Sequence, residues 1–158
     1  MFGKLFGKKN ELNKDTPIFI ELKKPKAIKK FGGSKKVIAP YNSYVEVMKL
    51  VPNGKLITKE LIRAYMAKKY EADFTDGVTS EIYINLVVNQ SAEQKIDGVP
   101  HWRTLEMDGR LNDRFPGGVE GQKLMLENEG HTVTLEGKFY YVKDFEKKVY
   151  KGLMNGLR

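Results

Sequence analysis

Residues 41–94 carry three apolar stripes at helical spacing, separated by two short breaks, and this pattern leaves few folds open. "YNSYVEVMKLV" (41–51) places Tyr44, Val47, Met48 and Val51 at i, i+3, i+4 and i+7, one face of a short helix. "PNGK" (52–55) is a turn, with Pro52 ending the helix and Gly54 supplying positive φ. Thr58 is expected to N-cap the next helix, with Glu60 in the first turn where the helix dipole favours an acid. That helix is expected to reach Tyr70, with Leu61, Ile62, Tyr65 and Met66 inward and Lys59, Arg63, Lys68 and Lys69 outward. "EADFTDG" breaks it, and Thr79 or Ser80 is expected to cap a third helix, "EIYINLVVNQSAEQ", buried on Ile82, Tyr83, Leu86 and Val87. Helix, turn, helix, turn, helix over about fifty residues is the footprint of a helix-turn-helix module.

Downstream, Gly117 and Gly118 open a fourth helix, "VEGQKLMLENE", which Gly130 ends in the C′ position. "HTVTLEGKFYYVKDF" (131–145) alternates apolar and polar residues around "EG", as a β-hairpin does. The last residues, "EKKVYKGLMNGLR", read as a short helix or a frayed end. The expected fold class is therefore α+β, mainly α: a winged helix-turn-helix-like domain over 40–158 with a C-terminal hairpin, preceded by a basic N-terminal arm over 1–39. Within the arm, "PIFIEL" (17–22) is expected as a short strand and "KKPKAIKKFGGSKK" (23–36) as a loop. "FGK" occurs twice near the start, at 2–4 and 6–8, too briefly to define a repeat. The "GGSK" fragment lacks the glycine spacing and the Lys-Ser/Thr order of a phosphate loop and is set aside.

The length of 158 residues suits one domain, and no run approaches the ~20 apolar residues of a membrane span. With no cysteine in the chain, disulfides, thiolate zinc sites and cysteine nucleophiles are excluded. Two histidines offer little to a transition metal, and no cofactor is expected. The net charge of +8 is unevenly placed: residues 1–40 hold 11 lysines and three acids, while the rest balances 17 basic against 17 acidic side chains. A basic arm on a neutral body suits a polyanion, nucleic acid before an acidic membrane surface; it equally suits a solvated tail.

The segment "VPHWRTLEMDGRLNDRFPGG" (99–118) gathers the sole tryptophan, one of the two histidines and three arginines between two prolines and a Gly-Gly pair. Together with its neighbours it resembles the DNA-binding domain of the O6-alkylguanine-DNA alkyltransferases. "LVPNGKLITKELI" is similar to the family's proline-x-glycine turn before the first helix of its helix-turn-helix. "VPHWRTL" resembles the active-site motif proline-cysteine-histidine-arginine, and "FPGGVEGQKLMLENEGH" the following Gly-Gly, helix and Glu-Gly-His. The three matches fall in family order between about residue 42 and residue 131. The resemblance implies that 99–118 is the loop of a fold that flips a damaged base into a pocket.

The departures bear on function. His101 stands where the family has its alkyl-accepting cysteine, and Trp102 where it has the activating histidine; Arg103 and Glu129 match the family's arginine and relay glutamate. A thiolate accepts the alkyl group in the family, and imidazole is a poorer acceptor, so no enzymatic transfer is expected. Non-catalytic relatives, the alkyltransferase-like proteins, place tryptophan at the cysteine position and keep the histidine; here the two appear in reverse order. The family's phosphate-rotating tyrosine falls near Lys59, and its finger arginine has no equivalent in "SEIYINLVVNQ".

The candidate DNA- and base-binding set is Thr58, Lys59, Arg63, Tyr83, His101, Trp102, Arg103, Arg110 and Arg114, with Gly117, Gly118 and Glu129 supporting the pocket. Lys59 and Arg63 equally suit a solvated helix face, Arg110 and Arg114 solvated loop charges, and His101 and Trp102 structural roles in the loop. Glu129 sits in a last helical turn, unfavourable to the dipole, and so should have a specific partner: His101, Trp102 Nε1–H or a backbone amide. The expectation is a monomeric, cytoplasmic, non-catalytic protein binding double-stranded DNA, alkylated or not, with a repair-protein partner. Two other readings stand beside it: a protein-interaction module that has lost nucleic-acid function, and RNA or ribosome association through the arm.

Overall fold

A computed structural model describes residues 12–155. The three apolar stripes form helices α2 (Tyr41–Lys49), α3 (Lys59–Lys69) and α4 (Gly77–Ala92), which pack on one another. Their shared core holds Tyr44, Val47, Met48, Ile62, Met66, Tyr83, Ile84, Val87 and Val88, each at most 1% exposed, whereas Ile82 and Leu86, expected on the buried face of α4, are only partly buried. Thr58 caps α3 as the sequence indicates, its Oγ1 accepting from Leu61 N–H at 3.1 Å. The cap of α4 differs from expectation. Asp76, not Thr79 or Ser80, takes that role, its Oδ2 accepting from Thr79 N–H at 3.0 Å, and the helix begins at Gly77. Asp76 prevails because Lys36 Nζ, 3.1 Å away, also holds its carboxylate in place.

The lysine-rich stretch expected as a loop is folded. β1 (Ile18–Glu21) falls within the expected strand, and residues 23–36 then supply helix α1 (Pro25–Phe31) and the start of β2 (Lys35–Ile38). β1 pairs antiparallel with β2, and β2 pairs parallel with β4 (Phe74–Thr75), the two-residue strand between α3 and α4. Pro25 suits the first helical turn, Lys29 and Lys30 suit the last, and Gly32 ends the helix at φ 79°. These signals are present in the sequence, but the strand pairing that stabilises the unit comes from residues nearly forty positions away.

The C-terminal half builds a second, smaller core from Leu56, Leu105, Leu111, Leu126 and Val142, with Trp102, Val119, Tyr140 and Phe145 against it. Helix α5 (Gly118–Asn128) and the hairpin β6 (Val133–Glu136) and β7 (Phe139–Val142) surround it, Gly137 turning the hairpin at φ 63°. A 3₁₀ turn at Phe145–Lys148 and α6 (Gly152–Asn155) follow. Short parallel strands β3 (Ile57–Thr58) and β5 (Thr104–Leu105) link the halves. The 99–118 segment is the seam, contributing Val99 and Phe115 to the first core and Leu105 and Leu111 to the second. Among the described residues no helix is long and apolar enough to cross a membrane. The repeated "FGK" lies outside the described residues.

Candidate nucleic-acid interface

The loop that carries His101, Trp102 and Arg103 is a single 3₁₀ turn running into β5, and it is fastened at three points. First, Thr104 and Leu105 pair with Ile57 and Thr58 at the start of α3. Second, Arg103 makes a bidentate pair with Glu129, Nε to Oε1 at 2.9 Å and Nη2 to Oε2 at 2.5 Å, while its Nη1 donates to Val51 O at 2.7 Å. Third, buried Gln122 on α5 donates from Nε2 to Trp102 O and Thr104 O, both at 3.1 Å, and accepts from Asn112 N–H at 2.8 Å.

Glu129 has a partner, as its place in the last turn requires, but the chief one is Arg103, which was not among the three expected; His101 does not bond it. Burial acts to raise its pKa, but hydrogen bonds from Arg103, the proximity of Trp102 Nε1–H and the Gly54 amide outweigh it and hold the carboxylate below its usual range. The lock thus joins the Pro-x-Gly turn, the loop and the end of α5. Gln122 carried no functional expectation. Its signal was a polar residue three positions after Val119 and four before Leu126, inside the apolar stripe of α5.

His101 and Trp102 turn partly inward. Their rings meet edge to face at 5.4 Å, and His101 meets Phe115 in the same way at 6.1 Å. Burial pushes the His101 imidazole below its ordinary pKa, so it is neutral near pH 7, and its Nδ1 is buried without a hydrogen-bond partner. Trp102 Nε1 is also buried and short of good hydrogen-bond geometry. Phe115, 3% exposed, packs among these groups with Lys59 Nζ 5.8 Å from its ring centroid.

Lys59 does not face outward. Only 4% of its side chain is exposed, and its Nζ sits 2.6 Å from Glu81 Oε1 and 3.1 Å from Glu106 Oε1. Two carboxylates draw the ammonium in, and Asn112 Nδ2 adds a 3.4 Å contact to Glu106. Tyr83 is likewise withdrawn from any surface, 1% exposed and edge-on to Tyr41 and Tyr44 at 6.1 and 5.7 Å, because it lies on the core stripe of α4.

Of the other expected contacts, Thr58 is a buried cap and Arg63 is half-buried on α3. Arg114 is exposed, and Arg110 holds its guanidinium 4.5 Å above Phe139 on the hairpin. Gly117 (φ 82°) and Gly118 (φ 65°) make the left-handed entry to α5, which a side chain would strain. The two arginines rim a cavity of about 470 Å³ that Glu81, Glu106, Asn112, Val119 and Tyr140 also line. Glu81 and Glu106 went unnoticed in the sequence because their shared partner lies 22 and 47 residues away.

A helix pair, a locked loop bearing the 101–103 triplet, and an α5–hairpin unit behind it make up the fold around the site. No protein-family model matches the sequence, and no curated protein does. The likeness is to solved structures: S. pombe Atl1 in complex with damaged DNA containing O6-carboxymethylguanine, at TM-score 0.53, and an S. pombe ATL in complex with DNA, at 0.52. Each is 19% identical, with 70% of this chain matched to 94% of the other. The chain has their fold without an acceptor cysteine, so transfer to a thiolate is outside its chemistry.

Proposed function

We propose that this chain is a non-catalytic DNA-binding protein of the alkyltransferase-like type, which engages a duplex and probes for an alkylated base. In this reading α3 and α4 are the helix-turn-helix pair, β6 and β7 the wing, and the 99–105 loop the base-probing element. The observation that carries it is the Arg103–Glu129 lock. It ties the triplet to Val51 and the end of α5, while β5 pairs with β3 at the start of α3, in a fold whose solved neighbours are DNA complexes. The protein acts as a cytoplasmic monomer and passes the lesion to a repair partner.

A second reading, a protein-interaction module, has specific support: α4 carries no basic residue and Lys59 is neutralised internally. Titration of the sole tryptophan separates the two. Short duplexes with guanine, O6-methylguanine or O6-carboxymethylguanine at one position are compared at two salt concentrations. Tighter binding of an alkylated duplex by tenfold, about 1.4 kcal/mol, with a change in Trp102 emission, supports lesion probing. Equal binding of all three, lost together in salt, reduces the function to electrostatic DNA binding. No binding at all favours the interaction module.

A further inference from the structure

Between residues 23 and 36 stand seven lysines and no acid, the strongest charge concentration in the chain, and the site described above uses none of them. Their place in the fold is fixed. β2 pairs with β4, the strand that joins α3 to α4, so the lysine unit rides on the connection between the two helices. Lys35 and Asp73 exchange backbone and side-chain hydrogen bonds, Lys35 N–H to Asp73 Oδ2 at 2.9 Å and Asp73 N–H to Lys35 O at 2.8 Å. Phe31 at the end of α1 stacks on Phe74 at 4.8 Å, and Lys36 bridges to Asp76, the cap of α4.

We infer that α1, with the lysines on either side of it, is a second phosphate-contact surface that extends the hold on a DNA duplex past the α3–α4 face. The inference rests on the DNA-binding reading above. Lys26, Lys29 and Lys30 lie at i, i+3 and i+4 on one exposed face of α1, and Lys23 and Lys24 lead into it, also exposed. Among the described residues Lys23, Lys24, Lys26 and Lys29 have no ion-pair partner. Like charges at this spacing repel, and a polyanion relieves that cost.

The need for such a surface is also visible. With α4 free of basic residues and Lys59 paired inside, the helix pair has few cations to offer phosphates. Docking on β4 places the lysines near the N-terminal end of α4 on an ordered backbone, so binding has only their side chains left to order. A duplex suits this face better than a lipid surface, because Ala27 and Ile28 are half-buried and the Phe31 ring, though 45% exposed, is stacked on Phe74.

The test uses the full chain with Lys23, Lys24, Lys26 and Lys29 all changed to Gln. All four are exposed, and an unchanged thermal midpoint verifies the fold. Binding is measured to duplexes of about 10 and about 25 base pairs across a salt series. The expected result is at least a tenfold loss on the long duplex, little change on the short one, and a log K against log salt slope shallower by about 2–3. The matching four-Arg variant keeps the wild-type length dependence. Equal binding of wild type and Gln variant to the long duplex overturns the inference and leaves DNA binding intact. Absence of duplex binding by the wild type at either length overturns both. Loss confined to vesicles of phosphatidylserine, with DNA affinity unchanged, overturns it in favour of a membrane contact.

Discussion

Lys59 Nζ lies 3.1 Å from Glu106 Oε1 and 2.6 Å from Glu81 Oε1, so one buried ammonium joins α3, α4 and the loop after β5. Removing it leaves two neighbouring carboxylates without a counter-charge. Lys59→Met is expected to cost about 1–3 kcal/mol, less than a fully buried pair because the carboxylates are 38% and 25% exposed. Glu106→Gln retains the Glu81 pair and should cost under about 1 kcal/mol. Urea denaturation of both variants checks this, and equal effects would refute a shared ammonium.

The Arg103–Glu129 pair is the sharper test of the loop. Its side chains are 12% and 9% exposed, so Arg103→Ala strands a largely buried carboxylate and is expected to cost about 3 kcal/mol. Arg103→Lys keeps the charge but loses the planar fork and the bond to Val51 O, and should recover less than half of that loss. Trp102 emission, read on the folded variants, should shift as the loop loosens. A loss below about 1 kcal/mol in Arg103→Ala would mean that the lock does not hold the loop.

The docking of the lysine unit depends on a close approach. A Cβ on Gly33 would fall 2.4 Å from Asp73 Cβ and 2.3 Å from its Cγ. Gly33→Ala must therefore displace Asp73 and weaken the bonds to Lys35, at an expected cost of about 1–2 kcal/mol. In an Asp73→Ala background the same substitution should cost much less, a non-additivity measurable by a double-mutant cycle. Additive costs would show that the two residues do not meet.

Acid should weaken the fold in two stages. Burial lowers the pKa of both histidines, His101 and His131, so each is neutral in the folded chain and titrates near 6.5 when unfolded. Their contribution is complete above about pH 6.5 and is lost as pH falls through the lower folded values. Glu129, also depressed, contributes above its unfolded value of about 4.3 and is lost below it, the second stage. Denaturation from pH 7.5 to 3.5 checks the sequence of events. In His101→Gln the first decline should be smaller; if it is unaltered, the burial of His101 does not govern it.

What the sequence by itself determined is the set of elements whose signals lie within one or two turns of chain. The apolar stripes over 41–51, 58–70 and 81–94 specify α2, α3 and α4, Thr58 specifies a cap, and the alternation around Gly137 specifies the hairpin. The Arg103–Glu129 connection was half legible, since an acid in a last turn needs a partner, but nothing local chose Arg103. The tertiary structure alone decided the rest. Residues 23–36 form a helix and a strand because β2 finds β4 and Lys35 finds Asp73, 38 positions on. Lys59 is buried because Glu81 and Glu106 converge on it from 22 and 47 positions away. Asp76 displaces Thr79 as cap because Lys36 reaches it across the sheet. Periodicity and caps are local in the chain, whereas strand pairing and the neutralisation of buried charge depend on groups that only folding brings together.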